Sequence, residues 1–242
     1  DGEAEGDTYQ DIEDIQGTNS GDTLKGDEGA NRINGWGGND IISGAAGADL
    51  LYGNDGNDVL DGGAGGDYLD GGAGSDTASY ESATGSVDTS LDGSVARAGD
   101  AIGDTYSSIE NLIGSTHDDV LTGNYYDNVI EGGAGGDILN GGTGGDDTYV
   151  FGLGAGADTI TDGTGSDTID VTADIDVTEE SFGVEDISFA RVGASSLDLE
   201  VSYLSDSGTI KATATGHFNG ATTQQIETLE LTGGASTITY NL

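Results

Sequence analysis

The chain has 242 residues, of which 46 are acidic and five are basic, so its formal net charge at pH 7 is -41. Nucleic acids and anionic membranes are excluded as partners, because binding them takes the clustered Lys and Arg that this chain lacks. The chain contains no cysteine, which excludes a disulfide framework and thiol catalysis. Its longest apolar runs are too short for a transmembrane helix or a signal-peptide core.

The first 16 residues precede a repetitive region and are interpreted as an N-terminal cap or linker. Residues 2–17 read GEAEGDTYQDIEDIQG, and residues 99–114 read the similar GDAIGDTYSSIENLIG. Both stretches lead directly into a repetitive block. We therefore expect two copies of one cap-and-repeat module.

Residues 17–79 divide into seven consecutive nine-residue units. The units read GTNSGDTLK, GDEGANRIN, GWGGNDIIS, GAAGADLLY, GNDGNDVLD, GGAGGDYLD and GGAGSDTAS. Every unit begins with Gly and has Asp or Asn at its sixth position, and all but the last have Leu or Ile at the eighth. Such regularity predicts a stacked repeat architecture.

Each unit combines a turn with a short strand. Its first residues, rich in Gly, Asn and Asp, favour positive φ and tight turns. Its last three residues, such as Val59-Leu60-Asp61, form a strand with one inward apolar side chain. One unit buries nothing alone, but stacked units bury a ladder of Leu and Ile. We expect two units to form one coil of a parallel β-roll, with each unit lying above the next but one.

This stacking predicts two columns of sixth-position side chains. One column contains Asp22, Asp40, Asp58 and Asp76, and the other contains Asn31, Asp49 and Asp67. Carboxylates stacked at roughly 5 Å repel each other by about 3 kcal/mol per pair at an effective dielectric constant of 20. A divalent cation between successive turns reverses the sign of this interaction. An irregular cage of oxygen ligands suits calcium better than magnesium, and neither imidazoles nor thiolates are at hand for zinc or copper.

The nonapeptide repeat is interrupted after residue 79 and resumes at residue 114. Residues 80–113 are interpreted as a flank followed by the second cap or linker. A second roll is predicted over residues 114–170, with the units GSTHDDVLT, GNYYDNVIE, GGAGGDILN and GGTGGDDTY and then the looser GLGAGADTITD and GTGSDTIDV.

The nonapeptides stop at about Val171, and β-rich segments follow. The segment SLDLEVSYL alternates as a half-buried antiparallel strand should. Because a roll has an open lower end, we expect residues 171–242 to form a β domain that covers this edge. The predicted fold class is thus all-β, with two parallel β-roll blocks and a C-terminal antiparallel capping domain.

The units GGAGGDYLD and GGAGGDILN match the repeat G-G-x-G-x-D-x-U-x at every position. The chain therefore resembles the RTX, or hemolysin-type, calcium-binding proteins over residues 17–79 and 114–170. This resemblance implies a parallel β-roll with calcium in its turns, and export in an unfolded state by type I secretion machinery to the extracellular space or cell surface. Residues 171–242 look like the capping domain that follows the repeats in many members.

The resemblance also implies the calcium ligands, which are side chains at the sixth position and carbonyls in the turns. The side chains are those of Asp22, Asn31, Asp40, Asp49, Asp58, Asp67, Asp76, Asp119, Asn128, Asp137, Asp146, Asp158 and Asp167. The carbonyls are those of Gly38, Gly47, Gly53, Gly56, Gly62, Gly65, Gly71, Gly132, Gly135 and Gly144. Sites between stacked turns amount to about seven to nine calcium ions.

Departures from the repeat predict weaker or missing sites. Asn31 and Asn128 bring no charge, Thr18-Asn19-Ser20 replaces the first glycine turn, and GGTGGDDTY carries one extra residue.

No catalytic motif stands out in the sequence. His117 and His217 are a hundred residues apart and are assigned turn or surface roles. Pairs of acids are everywhere in so acidic a chain, so they indicate no glycosidase. Trp36 is interpreted as packing against the N-terminal cap, with exposed stacking on a sugar as the alternative. We expect no enzyme here, and any catalytic domain would lie outside this chain.

Two functions are consistent with the sequence. The first is a calcium-binding module that folds after secretion and stabilises an extracellular bacterial protein, for example an adhesin. The alternative is a noncatalytic C-terminal accessory module of a secreted enzyme, such as a protease, lipase or polysaccharide epimerase. The expected partners are calcium, the type I secretion machinery, and a surface glycan or another domain of the parent protein.

Overall fold

The computed structural model of the chain describes residues 13–93, 98–151, 157–161 and 166–171, and five strands between residues 187 and 240. Its contacts divide the chain into two units, residues 1–115 and 116–242. The described residues form β-strands and one 3₁₀ turn, Gly99–Ala101, and contain no α-helix. They accordingly include no helix of the length and apolarity that crossing a bilayer requires. The all-β prediction is confirmed.

The strands are short and closely spaced along the chain. In the first unit they are β1 (Asp14–Gln16), β2 (Thr23–Lys25), β3 (Arg32–Gly37), β4 (Ile41–Ser43), β5 (Ala46–Gly47), β6 (Leu50–Asp55), β7 (Val59–Asp61), β8 (Ala64–Gly65), β9 (Tyr68–Ala73), β10 (Thr77–Ser79), β11 (Asp88–Ser90), β12 (Thr105–Ser107) and β13 (Asn111–Ile113). In the second unit they are β14 (Val120–Asn124), β15 (Val129–Glu131), β16 (Ile138–Gly142), β17 (Thr148–Phe151), β18 (Ala157–Thr161), β19 (Ser166–Val171), β20 (Ile187–Ser188), β21 (Asp198–Tyr203), β22 (Ala212–His217), β23 (Thr228–Gly233) and β24 (Ser236–Tyr240).

The first unit is a parallel β-roll. One sheet has the order β1-β3-β6-β9-β12, and a second contains β2-β4-β7-β10-β13. Ile33 lies beside Leu51, and Ile42 lies beside Leu60, so each residue pairs with the residue two nonapeptides further on. The small sheet of β5 and β8 joins turns of successive coils in the same register. This register confirms the predicted parallel β-roll.

A single column of apolar side chains from each sheet fills the roll. The eighth-position residues Ile33, Leu51 and Leu69 of one sheet and Ile42 and Leu60 of the other are fully buried. Each such side chain contributes about 1.5–3 kcal/mol through its transfer from water. The core is therefore one side chain thick on each side, and it offers little surplus stability.

The second position of the later repeats in each roll adopts a left-handed backbone. Gly63 and Gly72 adopt φ values of 81° and 103° there, and the non-glycine residues Trp36, Ala45 and Asn54 adopt 78°, 78° and 77°. Glycine takes this conformation at little cost, whereas a side chain strains it. The backbone conformation thus explains why the consensus repeat has glycine at this position.

The segment between the two predicted rolls returns to the first one. After β10 the chain makes an excursion that includes β11 and buries Tyr80, Val87 and Ala101. It then pairs β12 with β9 and β13 with β10, both in parallel. Residues 105–113 therefore add one further coil to the first roll.

The second unit repeats the same architecture. β14, β16 and β18 are parallel neighbours, as are β15, β17 and β19. Beyond them, β21 pairs with β18 and β22 pairs with β19, both antiparallel. Most of the predicted capping domain, and residues 1–12 of the predicted N-terminal cap, lie outside the described residues.

Candidate metal centre in the stacked turns

The sixth-position side chains of the first roll stack in two hydrogen-bonded columns. In one column, the backbone N–H groups of Asp22, Asp40 and Asp58 donate to Oδ1 of the aspartate one coil below, at 2.7, 2.8 and 2.8 Å. In the other column, Asn31 donates to Asp49 at 2.7 Å by the same geometry. One oxygen of each carboxylate is thereby fixed by the backbone.

The second oxygen of these carboxylates is buried and lacks a hydrogen-bond partner in the described structure. This holds for Oδ2 of six column members, namely Asp40, Asp49, Asp58, Asp67, Asp76 and Asp137. A buried polar atom left unsatisfied costs about 1–3 kcal/mol, and a charged one costs more. That cost is as large as the gain from one apolar rung of the core. The columns therefore need a cation to be stable in their charged form.

Main-chain carbonyls lie close to several of these oxygens. The Cα atom of Gly53 faces Asp58 Oδ2, and a Cβ added there would lie 2.6 Å from the carbonyl oxygen of Gly71. In the turns, the carbonyls of Gly38 and Gly47 similarly abut the fourth-position glycine of the next coil. Only glycine leaves room for this packing, and it creates a cradle lined with oxygen atoms.

The predicted ligands of the first roll lie in these columns and turns. Asp22, Asp40, Asp58 and Asp76 follow one edge, and Asn31, Asp49 and Asp67 follow the other. The glycines fall into two sets, with Gly53, Gly62 and Gly71 at the first position and Gly38, Gly47, Gly56 and Gly65 at the fourth. Their role as calcium ligands stays a prediction.

Two columns also form in the second unit, with one difference from the sequence assignment. The backbone N–H of Asp119 donates to Asp137, and that of Asp137 donates to Asp158. In the neighbouring column, Asn128 donates to Asp147, which donates to Asp167. Gly132 and Gly135 keep the first and fourth positions of their turn.

Asp146 and Gly144 do not occupy the repeat positions that the sequence assigned to them. Asp147 is fully buried in the column, whereas Asp146 is exposed and its N–H donates to Asp127 at 2.8 Å. Gly145 abuts the carbonyl of Tyr126 where Gly144 was expected. The extra residue of GGTGGDDTY is accommodated early in the turn, which shifts all later positions by one.

The structure adds two acidic residues to the columns that the sequence assignment missed. Asp67 N–H donates to Oδ1 of Asp104 at 2.8 Å, and Asp76 N–H donates to Oε2 of Glu110 at 2.9 Å. Each acid is followed two residues later by an inward residue, Tyr106 or Leu112. The same spacing of acid and apolar residue marks the nonapeptides and was the available signal.

A tyrosine hydroxyl terminates one of the columns. Oδ2 of Asp104 accepts a hydrogen bond from Tyr80 at 2.7 Å, and the Tyr80 and Tyr106 hydroxyls contact each other. Thr89 hydrogen-bonds Tyr106 at 2.7 Å. Burial and the neighbouring Tyr106 and Asp104 raise the pKa of Tyr80 well above its ordinary value, so its hydroxyl remains a donor. Asp104 thus ends its column with a protein donor on its second oxygen.

Burial raises the pKa of the column carboxylates in the absence of a cation. The pKa rises from 3.8 to about 6 for Asp49, Asp76 and Asp137. For Asp158 it rises to about 7, for the same main reason and with repulsion from Asp137. The backbone hydrogen bonds oppose this rise but do not cancel it. The folded columns consequently prefer protons or metal ions to bare negative charge.

The donor set fits calcium. Among the described residues no three His, Cys, Asp or Glu side chains converge on a point from which they could hold a metal ion. Main-chain carbonyls lie beside the column carboxylates, and calcium accepts such oxygen donors whereas softer transition metals prefer nitrogen and sulfur. A calcium ion would give the buried Oδ2 atoms a partner and offset the repulsion along each column.

The comparisons with known proteins agree with this geometry. A family model for the RTX calcium-binding nonapeptide repeat matches the chain in four copies, at residues 16–51, 43–78, 113–152 and 153–177. These matches cover just over half of the chain. The chain belongs to the RTX repeat family. RTX repeats bind calcium, and the proteins that carry them are generally secreted. A search among curated proteins finds no match to this chain.

The first prediction separates the column charge from its hydrogen bond. Asp58→Asn keeps an oxygen for the N–H of Asp40 but removes one charge from the middle of a column. A lost charge-assisted contact of about 1.5 kcal/mol corresponds to about a tenfold change in one binding constant. Because about seven to nine ions bind together, it should raise the calcium concentration at half-folding by about 1.4-fold, and by more where an ion is lost with the charge. Circular dichroism during a calcium titration measures this midpoint. Asp55→Asn, the same change at an exposed position of the same turn, is the control, and equal midpoints for both variants would contradict the column assignment.

The second prediction tests the residue that the structure adds to the first column. Glu110→Gln should lower the number of bound calcium ions by about one, because Glu110 closes the last gap below Asp76. Native mass spectrometry counts the ions directly. Glu28→Gln removes the same charge from an exposed turn and should leave the count unchanged. An unaltered count in the Glu110 variant would remove Glu110 from the ligand set.

The third prediction concerns pH without calcium. The folded columns bind protons with pKa values of about 6–7, whereas unfolded aspartates titrate near 3.8. Since the folded state binds more protons between these values, the free energy of unfolding should rise as the pH falls from about 7 towards 4. In chelator, circular dichroism should show more β-structure at about pH 5 than at about pH 7.5. A β-signal that falls on acidification would show that burial does not control these carboxylates.

Proposed function

We propose that this chain is a noncatalytic module that folds when it binds calcium after secretion, and that it thereby stabilises an extracellular protein. The observation that carries the proposal is the row of buried Oδ2 atoms that have no protein partner. They lie beside carbonyl-lined turns in every interior coil of the first roll. A ligand that completes these turns binds only the folded state.

The energetics favour an unfolded chain when calcium is absent. Ordering the backbone costs about 1–2 kcal/mol per residue, and each nonapeptide contributes only one inward apolar side chain. The repulsion within a chain of net charge -41 adds to this cost. Calcium that binds only the folded state stabilises it by mass action, and the response becomes steep when several sites form together. About seven to nine ions, the number suggested by the stacked turns, would neutralise the columns where the repulsion is greatest.

This coupling suits export through type I secretion machinery. A cytoplasm that is poor in free calcium would keep the chain unfolded and threadable, and calcium outside the cell would fold it after exit. The absence of cysteine supports this route, since no disulfide has to form or be broken on the way. The family of secreted repeat proteins to which the chain belongs points in the same direction.

Residues 171–242 are proposed to cap the second roll. The antiparallel pairing of β21 with β18 and of β22 with β19 supports this role, because it covers the final parallel strand of each sheet. A covered edge can neither fray nor pair with another chain.

The module is proposed to act within a larger secreted protein. It would serve either as part of an adhesin or as the accessory C-terminal module of a secreted enzyme. A polysaccharide-binding face on this module would favour the adhesin over the accessory module of an enzyme.

The fourth prediction tests calcium-triggered folding in the complete chain. Circular dichroism should indicate a largely disordered chain in chelator at neutral pH, and a cooperative gain of β-structure on adding calcium. Magnesium at the same concentration is the control and should produce much less structure, because it demands a tighter octahedral site.

A β-rich spectrum already present in chelator would refute the triggered folding. A variant without residues 172–242 tests the cap separately. It should require more calcium for half-folding, and an unchanged midpoint would refute the capping role alone.

A further inference from the structure

One outer face of the first roll differs in composition from the rest of the chain. Strands β3, β6 and β9 lie side by side, and inward and outward residues alternate along each of them. The outward residues are Arg32, Asn34 and Trp36 on β3, Leu50, Tyr52 and Asn54 on β6, and Tyr68, Asp70 and Gly72 on β9. We call these nine positions the aromatic face.

Three aromatic residues cross this face on a diagonal. Trp36 is 53% exposed and lies beside Asn54, one step along the diagonal from Tyr52. Tyr52 is in turn the diagonal neighbour of Tyr68 on β9. The centres of these two rings are 5.8 Å apart, and the ring planes form an angle of 61°. The exposure of Trp36 supports the sugar-stacking interpretation, whereas most of the N-terminal cap, against which the alternative would pack it, lies outside the described residues. The ring pair of Tyr52 and Tyr68 and the indole of Trp36 thus lie along one diagonal across three strands.

Polar groups border this track at fixed positions. The amide nitrogen of Asn54 donates to Oδ1 of Asn34 at 3.0 Å, and the Tyr68 hydroxyl donates to Oδ2 of Asp70 at 3.1 Å. The guanidinium carbon of Arg32 lies 5.5 Å from the centre of the Tyr52 ring. Hydrogen-bond donors and acceptors thus alternate with ring surfaces, and they hold each other in place before any ligand arrives.

Trp36 shares its left-handed backbone with Ala45 and Asn54 at the same repeat position, so what distinguishes it is the bulky side chain that the turn does not require. Its φ of 78° belongs to the left-handed region, where the equivalent residue of β9 is Gly72. Glycine would relieve this strain, and the exposed indole buries little in return. A bulky residue held in a strained conformation at the surface points to recognition.

The charge of the face defines its ligand. The aromatic face has one cation, Arg32, and one anion, Asp70, in a chain whose net charge is -41. It is locally neutral, whereas the surrounding field repels anions. A neutral sugar offers C–H surfaces that stack on aromatic rings and hydroxyl rims that bond to amides, carboxylates and guanidinium groups.

We infer that the aromatic face is a binding site for a neutral polysaccharide. Trp36 and Tyr68 stack on sugar rings, and Asn34, Asn54 and Asp70 bond to their hydroxyl groups. The opposite sheet of the same roll has no such residues on the strands β4 and β7. Their outward residues are Ile41, Ser43, Val59 and Asp61, none of which is aromatic. None of the residues of the aromatic face is a column carboxylate, although Trp36 and Asn54 lie in the turns that the columns follow.

The single tryptophan of the chain makes the site directly observable. Calcium-saturated protein is titrated with laminarin, dextran and mannan, while Trp36 fluorescence is recorded. At least one of these neutral polysaccharides should shift the emission to shorter wavelength in a saturable manner. Hyaluronate, an anionic polysaccharide, should produce no shift.

Affinity electrophoresis in gels that contain the active polysaccharide then compares variants. Trp36→Gly should weaken retention about tenfold or more while it raises calcium-dependent stability, because the ring is lost and the strain is relieved. Tyr125→Ser removes a 72% exposed aromatic residue from the second unit and should migrate like the parent protein. Circular dichroism in calcium shows that each variant is folded, which keeps this test independent of the calcium proposal.

Three results would overturn the inference. The first is the absence of any shift or retardation with all three neutral polysaccharides. The second is equal retention of Trp36→Gly and the parent protein. The third is an emission spectrum of a buried indole that no polysaccharide alters, which would show that another part of the chain covers the face.

Discussion

The structure depends on how carboxylates are stacked in the turns of the roll. Each column aspartate uses one oxygen to bind the backbone of the coil above, and this bond sets the register of successive coils. The same geometry buries the other oxygen where protein donors do not reach it, as at Asp58. The hydrogen bond that sets the register of the coils thus also leaves the second carboxylate oxygen buried without a positive charge or a donor beside it. Calcium binding follows from this conflict, because a cation satisfies the second oxygen without disturbing the first.

Glycine and aspartate act together in this arrangement. The turn carbonyls approach the next coil so closely that a Cβ at positions such as Gly53 would collide with them. A repeat built in this way concentrates oxygen atoms along two edges and leaves the interior to one apolar side chain per unit. The fold is therefore weak in hydrophobic burial and rich in metal-binding capacity. The proposed coupling of folding to calcium would accordingly be a property of the whole column.

The column ends show what happens where the repeat stops. At Asp104 the hydroxyl of Tyr80 supplies the donor that interior aspartates lack, and the excursion after β10 brings that hydroxyl into place. At Glu110 a longer side chain reaches the same kind of backbone N–H. These column members lie outside the strict nonapeptide pattern. The surface of the roll is also specialised, since β3, β6 and β9 present aromatic side chains outward whereas β4 and β7 present none.

The sequence by itself determined the coil length, the inward Leu and Ile ladder, the two columns and the preference for calcium. These features are periodic, and a period of nine residues repeated in register admits few other structures. Only the tertiary structure decided that Asp147 replaces Asp146, because a one-residue insertion can be absorbed at several places in a turn. The tertiary structure also brought Asp104, Glu110 and Tyr80 to the columns across an irregular segment with no period to follow. The diagonal of Trp36, Tyr52 and Tyr68 likewise required the register between strands, since these residues belong to different repeats and occupy different positions within them.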